Sequence, residues 1–368
     1  MSEMESLRKE ALSLNTLPQE IISKPQTPKE IVCQLLQKNP NLIVGVGDEV
    51  IEEILTHCDC LPQEIFPVLF KYKPVLILKA ERVRIWNNLK RRKRRLKINL
   101  SGVLLEYKNL AGVDLRDVNL TDAVLRGVSL KKADLRGANL TDADLTGASL
   151  AGVKLTNARY SYKTQWPADF NYTTCGAIGP YACLRGVNLR GRDLTTVDLW
   201  RADLTGACLI GADLSYANLS EAILTGAILD GASLQGANLR YANCERASFK
   251  GANLQQADLE HCNLKNADFS QADLSKIRAR DSDWRGGCLR NANLEEADLT
   301  NARLQGAHII NTCFWDADLW DADFKDAILR GVSFRGAKLE YADFTGAYCY
   351  DTSFEDATLR HTLLPDDF

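Results

Sequence analysis

Residues 133–147 read ADLRGANLTDADLTG, three consecutive five-residue units that each have a small residue first and a bulky apolar residue third. The same spacing begins near Asn99, continues to Leu155, and resumes one residue out of phase from Leu184 to the C-terminus. Amphipathic helices repeat apolar residues about every 3.6 positions and strands every second position, so a period of five fits neither. A short, fixed period over most of a chain indicates a solenoid.

Each five-residue unit predicts one side of a four-sided coil. The small and the bulky residue point inward and the other three face water, because only a small side chain fits at the corner of so narrow a tube. Four sides make a coil of about 20 residues, and successive coils stack at the strand spacing of about 4.8 Å. Leu214, Leu234 and Leu254 are therefore expected on one wall, pointing into the core.

The units 133–137 and 143–147 read ADLRG and ADLTG, and 237–241 reads ANLRY. They resemble the A(D/N)LxG signature of pentapeptide-repeat proteins. The resemblance implies an all-β solenoid, a right-handed quadrilateral parallel β-helix, over most of the chain. It does not fix a function: some members mimic DNA and bind gyrase, many occur in cyanobacteria without an assigned role, and none is associated with catalysis by the repeats.

Residues 1–98 lack the five-residue period and predict a small α-helical N-terminal domain. Thr27-Pro28-Lys29-Glu30 is a capping box with proline at the first helical position. A last helix is expected from about Pro74 through Trp86, covering the N-terminal mouth of the tube. The predicted organisation is a helical domain at 1–98, a first repeat tract at 99–159, an aromatic insertion loop at 160–181 and a second repeat tract at 182–368.

A basic run follows this last helix. Its cations are candidates for contact with an acidic protein or membrane surface, and nucleic acid is a weaker third alternative because no aromatic residues are interleaved. The simplest interpretation is a solvated helix end whose positive charges suit the helix dipole. The candidate residues are Lys90, Arg91, Arg92, Lys93, Arg94 and Arg95.

Composition excludes several function classes. The net charge is -3, and no apolar run approaches the roughly 18 residues that span a bilayer. The N-terminus has no hydrophobic signal core, so a cytoplasmic protein is expected. Eleven scattered cysteines indicate reduced thiols. The cluster at 57–60, HCDC, lacks the second ligand pair that zinc needs, and no cofactor motif or catalytic constellation is visible. We expect neither a cofactor nor enzyme activity.

The insertion at 160–181 interrupts the repeats with an aromatic stretch that contains Trp166 and Phe170. Long loops inside a compact fold are usually functional or packed on themselves. Packing against the adjacent face is the favoured interpretation, and a partner-binding protrusion is the alternative.

Counting in twenties places unusual residues side by side near the C-terminus. Outward positions there that usually carry Asp, Asn or another polar residue hold apolar ones, and exposed apolar patches often mark interaction sites. We predict self-association, as a homodimer through the C-terminal coils, or docking of a protein partner; alternatively, the tail covers the end and the patch is incidental. The candidates are His308, Ile310, Ile328, Tyr348 and Tyr350, with Trp315 and Trp320 flanking neighbouring faces.

The sequence is compatible with two functions. The first is a noncatalytic protein-protein interaction scaffold or regulator that presents a rigid β-helix. The second is a DNA-mimicking, gyrase-binding protein, which requires a strongly acidic surface. Arginines at outward positions such as Arg185, Arg285 and Arg335 weaken the second hypothesis.

Overall fold

A computed structural model describes Ile51, Leu69, residues 74–79, 83–92 and 98–365. Contacts divide the chain into two compact units. Unit 1 comprises Met1–Leu155 with Lys163–Phe170, and unit 2 comprises Thr156–Tyr162 with Asn171–Phe368. The capping box at 27–30 and the rest of the helices predicted before residue 74 lie outside the described residues, apart from Ile51 and Leu69.

Each unit is built from coils whose backbones pair in parallel at an offset of 20 residues. In unit 1 Asp114 pairs with Asp134, and in unit 2 Asp213 pairs with Ser233, which pairs with Asn253. This offset means that four five-residue repeats complete one coil, as the sequence predicts. Most of these pairings, which we call rungs, involve a single residue on each coil, because the chain turns a corner before a longer strand forms.

One wall of unit 2 carries longer strands. They are β1 (His308–Ile310), β2 (Ile328–Arg330) and β3 (Tyr348–Tyr350), which form a parallel sheet in the order β1-β2-β3. The middle residues Ile309 and Leu329 point into the core and are fully buried. The residues on either side of them point outward.

The core follows the predicted columns. Leu214, Leu234 and Leu254 are fully buried on one wall, and the alanines two residues before them are buried as well. Each corner is a turn in which the residue two after the leucine has a positive φ, for example 59° at Tyr216. The Ala217 amide closes that turn by donating to the Leu214 carbonyl at 3.0 Å. Positive φ at this position defines a type II turn and explains the frequent glycines there.

Stacked phenylalanines fill the core beside the β1–β3 sheet. On the wall before the sheet, Phe324 and Phe344 stack with centroids 4.6 Å apart and planes 2° apart. On the wall after it, Phe314 and Phe334 stack at 5.1 Å, and Phe334 meets Phe344 edge-on at 5.7 Å across the core. Aromatic pairs of this geometry contribute about 0.5–1.5 kcal/mol beyond their buried area. The sheet is therefore supported on both sides by rigid rings.

Two helices precede the first coil in unit 1, where the sequence predicts one from about Pro74 through Trp86. They are α1 (Pro74–Lys79) and α2 (Val83–Arg92). Helix α2 packs on the coil through Trp86, which is fully buried and whose indole Nε1 donates to the Asp114 carbonyl at 2.6 Å. Among the helices that the structure describes, none combines the length and apolar character needed to cross a membrane.

Candidate interaction surface

The β1–β3 sheet brings five of the predicted residues together. Its register pairs His308 with Ile328 and Ile328 with Tyr348, so these three form one outward column. Ile310, Arg330 and Tyr350 form the adjacent column in the same way. Ile328, Tyr348 and Tyr350 are 37%, 63% and 56% exposed. We call His308, Ile310, Ile328, Tyr348 and Tyr350 the C-terminal patch.

The two predicted tryptophans lie on other walls of the coil, and partner binding by them stays a prediction. Trp315 follows the next wall of the coil, and its indole Nε1 donates to Ser333 Oγ at 2.8 Å. Trp320 lies two walls beyond the patch and meets Tyr341 edge-on at 5.6 Å. Tyr341 in turn stacks on His361 at 4.9 Å. Both tryptophans are partly exposed, but neither extends the C-terminal patch.

The insertion aromatics pair within unit 1. Trp166 and Phe170 stack at 5.4 Å with an interplanar angle of 28°, and both are half-buried. The segment that carries them continues the backbone ladder, because Gln165 pairs with Asp144 and Thr164 Oγ1 donates to the Leu140 carbonyl at 2.8 Å. Partner binding by these two rings stays a prediction.

The basic run needs one correction. Lys90 is predicted to be an exposed surface cation, but it is only 4% exposed. It lies one helical turn after Trp86, so both side chains share the face of α2 that packs on the coil. Burial lowers the pKa of its ammonium, against the opposing effect of Asp114 and Asp117. Arg91 is exposed, and Arg92 is the last residue of α2. The described residues do not include the rest of the basic run, Lys93, Arg94 and Arg95.

Many outward charges of unit 2 pair between neighbouring coils. A cation directly after the bulky residue often meets the aspartate 18 residues later on the next coil, as Lys250 meets Asp268 at 3.2 Å and Lys325 meets Asp343 at 2.9 Å. Burial favours a raised pKa of the Asp268 carboxyl, but hydrogen bonds from Ser270 and Lys250 outweigh it and leave that pKa below its ordinary value. The paired aspartates are therefore ionised well below neutral pH.

Sequence reasoning missed a side-chain ladder along one corner of unit 2. Tyr181 meets Trp200 edge-on at 5.0 Å, and the Arg201 guanidinium lies 4.7 Å from the Trp200 ring centroid. Glu221 accepts from Trp200 Nε1 at 3.1 Å and pairs with Arg201 at 2.7 Å. The signal was available, because Tyr181, Arg201 and Glu221 are spaced by 20 residues at the same repeat position.

Groups suited to metal or thiol chemistry are dispersed in the described part of the chain. No cluster of three or more His, Cys, Asp or Glu side chains could hold a metal ion there. All eight described cysteines are free thiols. Burial raises the pKa of Cys244 to about 12, which makes this thiol inert.

The stacked five-residue units, the inward leucine and alanine columns and the parallel 20-residue register define a β-helical repeat protein. The chain belongs to the pentapeptide-repeat family, whose fold is a right-handed β-helix. The family description, Pentapeptide repeats, matches eight segments that together cover more than half of the chain. They are 98–131, 123–159, 182–220, 209–240, 217–256, 242–278, 285–316 and 316–348.

Several solved structures are similar to parts of the chain. HetL, involved in heterocyst differentiation regulation in the cyanobacterium Nostoc sp. strain PCC 7120, is 29% identical over 73% of this chain and 90% of its own, with a TM-score of 0.36. A thylakoid-lumen protein of Arabidopsis thaliana is 31% identical over 32% of this chain and 69% of its own, with a TM-score of 0.22. QnrB1, a plasmid-mediated fluoroquinolone resistance protein, is 19% identical over 44% of this chain and 90% of its own, with a TM-score of 0.30. No curated protein sequence matches the chain.

Proposed function

We propose that this protein is a noncatalytic interaction scaffold that docks a partner protein on the C-terminal patch. One observation carries the proposal: three successive coils hold apolar side chains in register on an outward wall. Ile328 and Tyr348 occupy the outward position directly before the buried residue, which on the other walls most often carries Asp, Asn or Ser. Contiguous exposed apolar surface of a few hundred Å² is typical of interaction sites.

Rigidity supports the same proposal. Of the three residues between the outward columns, Ile309 and Leu329 are fully buried and Cys349 is half-buried, and stacked phenylalanines fill the neighbouring walls. A surface that is already ordered loses little conformational freedom when a partner binds, so more of the contact energy remains as affinity. A stack of coils with an ordered outer wall suits binding better than catalysis.

The test places charge in the patch. The variant Ile310→Asp with Tyr350→Asp is compared with Tyr216→Asp with Ile223→Asp, which changes two exposed apolar side chains off the patch. We expect affinity capture with quantitative mass spectrometry to recover a protein with the wild type and the control but not with the patch variant. Unchanged recovery with the patch variant would refute the proposal.

A second copy of the chain is the competing occupant. Light scattering on the same three proteins decides between the two. If the wild type is a dimer and the patch variant is a monomer, the chain forms a homodimer through the C-terminal coils. If all three proteins are monomers, the occupant of the patch is a different protein.

The gyrase-binding DNA mimic is the other candidate function. It requires a surface dominated by negative charge, but cations neutralise outward aspartates at several places along unit 2, for example Arg185 with Asp203 and Arg280 with Asp298. We therefore expect the purified protein to leave DNA gyrase supercoiling unchanged. Inhibition or quinolone protection at stoichiometric protein would favour the mimic over the scaffold.

A further inference from the structure

The charges around the C-terminal patch depart from the pairing pattern of unit 2. A cation directly after the bulky residue usually finds its carboxylate either two residues before it, as Arg285 finds Asp283 at 2.7 Å, or 18 residues after it, as Arg185 finds Asp203 at 3.1 Å. Both positions lie on the outward rungs of the β-helix. Whether the cation directly after the bulky residue is neutralised therefore depends on which residues occupy these outward rung positions.

On the wall of β1–β3 those rung positions hold no carboxylate. For Arg290 they are Cys288 and His308, and for Arg330 they are Ile328 and Tyr348. Both arginines are exposed, and among the described residues neither forms an ion pair. The Arg330 guanidinium lies 5.7 Å from the centroid of the Tyr350 ring, a cation–π contact.

The corner column of this wall thus alternates between cation and apolar side chain. It reads Arg290, Ile310, Arg330 and Tyr350 on successive coils. Coils are about 4.8 Å apart, so the two arginines are about 10 Å apart along the column with Ile310 between them. The column of His308, Ile328 and Tyr348 runs beside it.

We propose that the occupant of the C-terminal patch is an acidic segment of a partner protein, with two carboxylates about 10 Å apart on either side of an apolar side chain. This inference rests on the proposed docking function and names the chemistry of the partner. Covering the patch removes water from both arginines, and an unpaired cation is costly to desolvate. A partner that supplies the carboxylates removes that cost and gains charge complementarity.

The same charges disfavour a second copy of the chain. A two-fold dimer places the same surface patch on both sides of the interface, so four arginines would meet without a carboxylate from either column. An α-helix suits the proposed partner, because residues seven apart are about 10.5 Å apart along its axis. Two acidic residues at that spacing with an apolar residue between them match the column.

The test uses a random 12-residue peptide library displayed on phage and selected on the full chain. We expect recovered peptides to contain two acidic residues that flank an apolar one. The variant Arg290→Gln with Arg330→Gln should bind their synthetic forms at least about 30-fold more weakly, because it leaves the peptide carboxylates without cations in the covered interface. The matched control is Arg190→Gln, an exposed arginine of the same corner column, also without an ion pair among the described residues, beside Asn188 and Cys208. This control should bind like the wild type.

The outcomes separate the two proposals. Peptides that bind the double glutamine variant as tightly as the wild type but lose affinity for Ile310→Asp with Tyr350→Asp would overturn the acidic partner and leave the docking function intact. Peptides insensitive to both variants, or no enriched peptide, would overturn both. Binding of a 20-base-pair DNA duplex that the glutamine variant abolishes, without enrichment of acidic peptides, would assign the arginines to phosphate.

Discussion

The side-chain oxygen of Asn87 accepts a hydrogen bond from the Asp114 amide at 2.7 Å, although the two residues lie in a helix and in the first coil. In the next coil the equivalent amide, of Asp134, donates to a backbone carbonyl, that of Val113, at 2.8 Å. In the first coil, Asn87 therefore supplies the hydrogen-bond acceptor that a preceding coil supplies to the equivalent amide of the next coil. The Trp86 indole donates a hydrogen bond to the Asp114 carbonyl, so helix α2 takes the place of a preceding coil on this wall.

Removal of the Asn87 side chain should loosen the first coil. Asn87→Ala leaves the part-buried Asp114 amide without its acceptor and also removes the bond from Asn87 Nδ2 to the Gly112 carbonyl at 2.8 Å. An unmade bond of this kind costs about 1–3 kcal/mol. We expect faster hydrogen exchange at the Asp114 amide, measured by mass spectrometry. The neighbouring exposed Asn88→Ala is the control, and equal exchange in both variants would contradict this role of Asn87.

The stacked phenylalanines should dominate the stability of the coils that carry the patch. Phe324→Ala removes a fully buried ring in contact with Phe344 at 4.6 Å, and such truncations cost about 3–5 kcal/mol. Denaturant unfolding followed by circular dichroism measures the loss. Ile223→Ala, at an exposed outward position of the same wall five coils earlier, should change the unfolding free energy by less than about 0.5 kcal/mol. A similar loss of unfolding free energy in both variants would show that the stacked rings do not dominate the stability of these coils.

Acid should destabilise the protein through its paired aspartates. Burial favours a raised pKa for Asp144, but hydrogen bonds from Thr146 and Arg126 outweigh it, so its pKa lies below 3.8 in the folded chain. A carboxyl with a depressed folded pKa stabilises the fold above its unfolded pKa, and this stabilisation is lost as pH falls. We expect a melting temperature that is flat from about pH 7 to 5 and falls below about pH 4.

Asp144→Asn tests the assignment of this pH dependence. It should lower the melting temperature at pH 7, where wild-type Asp144 is ionised and bonded to Arg126 at 2.5 Å, and it should make the acid slope shallower. Asp169→Asn, at an exposed position of the insertion, is the control and should leave both unchanged. An acid slope that Asp144→Asn does not alter would assign the effect to other groups.

Thiol alkylation should distinguish inward from outward cysteines. Cys244 is fully buried with a pKa of about 12, and the buried Cys262 donates to the Leu239 carbonyl at 2.7 Å. At pH 8 roughly one Cys244 in ten thousand is a thiolate even before burial limits access. Iodoacetamide followed by peptide mapping should label the exposed Cys183 and spare Cys244 and Cys262 until the protein unfolds. Early labelling of Cys244 would place it outside the core.

The five-residue period determined which side chains enter the core and which share a wall. Once one coil is 20 residues, counting alone aligns Leu214 with Leu234, and His308 with Ile328 and Tyr348, and the observed register is the same. This works because every coil repeats the same turn, so no distant contact is needed to set the alignment. Partner binding by the aligned surface stays a prediction.

Only the tertiary structure decided what meets across segments that the period does not relate. It turned Lys90 inward beside Trp86 and directed Asn87 to the Asp114 amide. The physical reason is that local turns, repeated in every coil, fix the backbone register of the repeats. The docking of a helix and the partner of a long charged side chain depend instead on which groups come close in three dimensions.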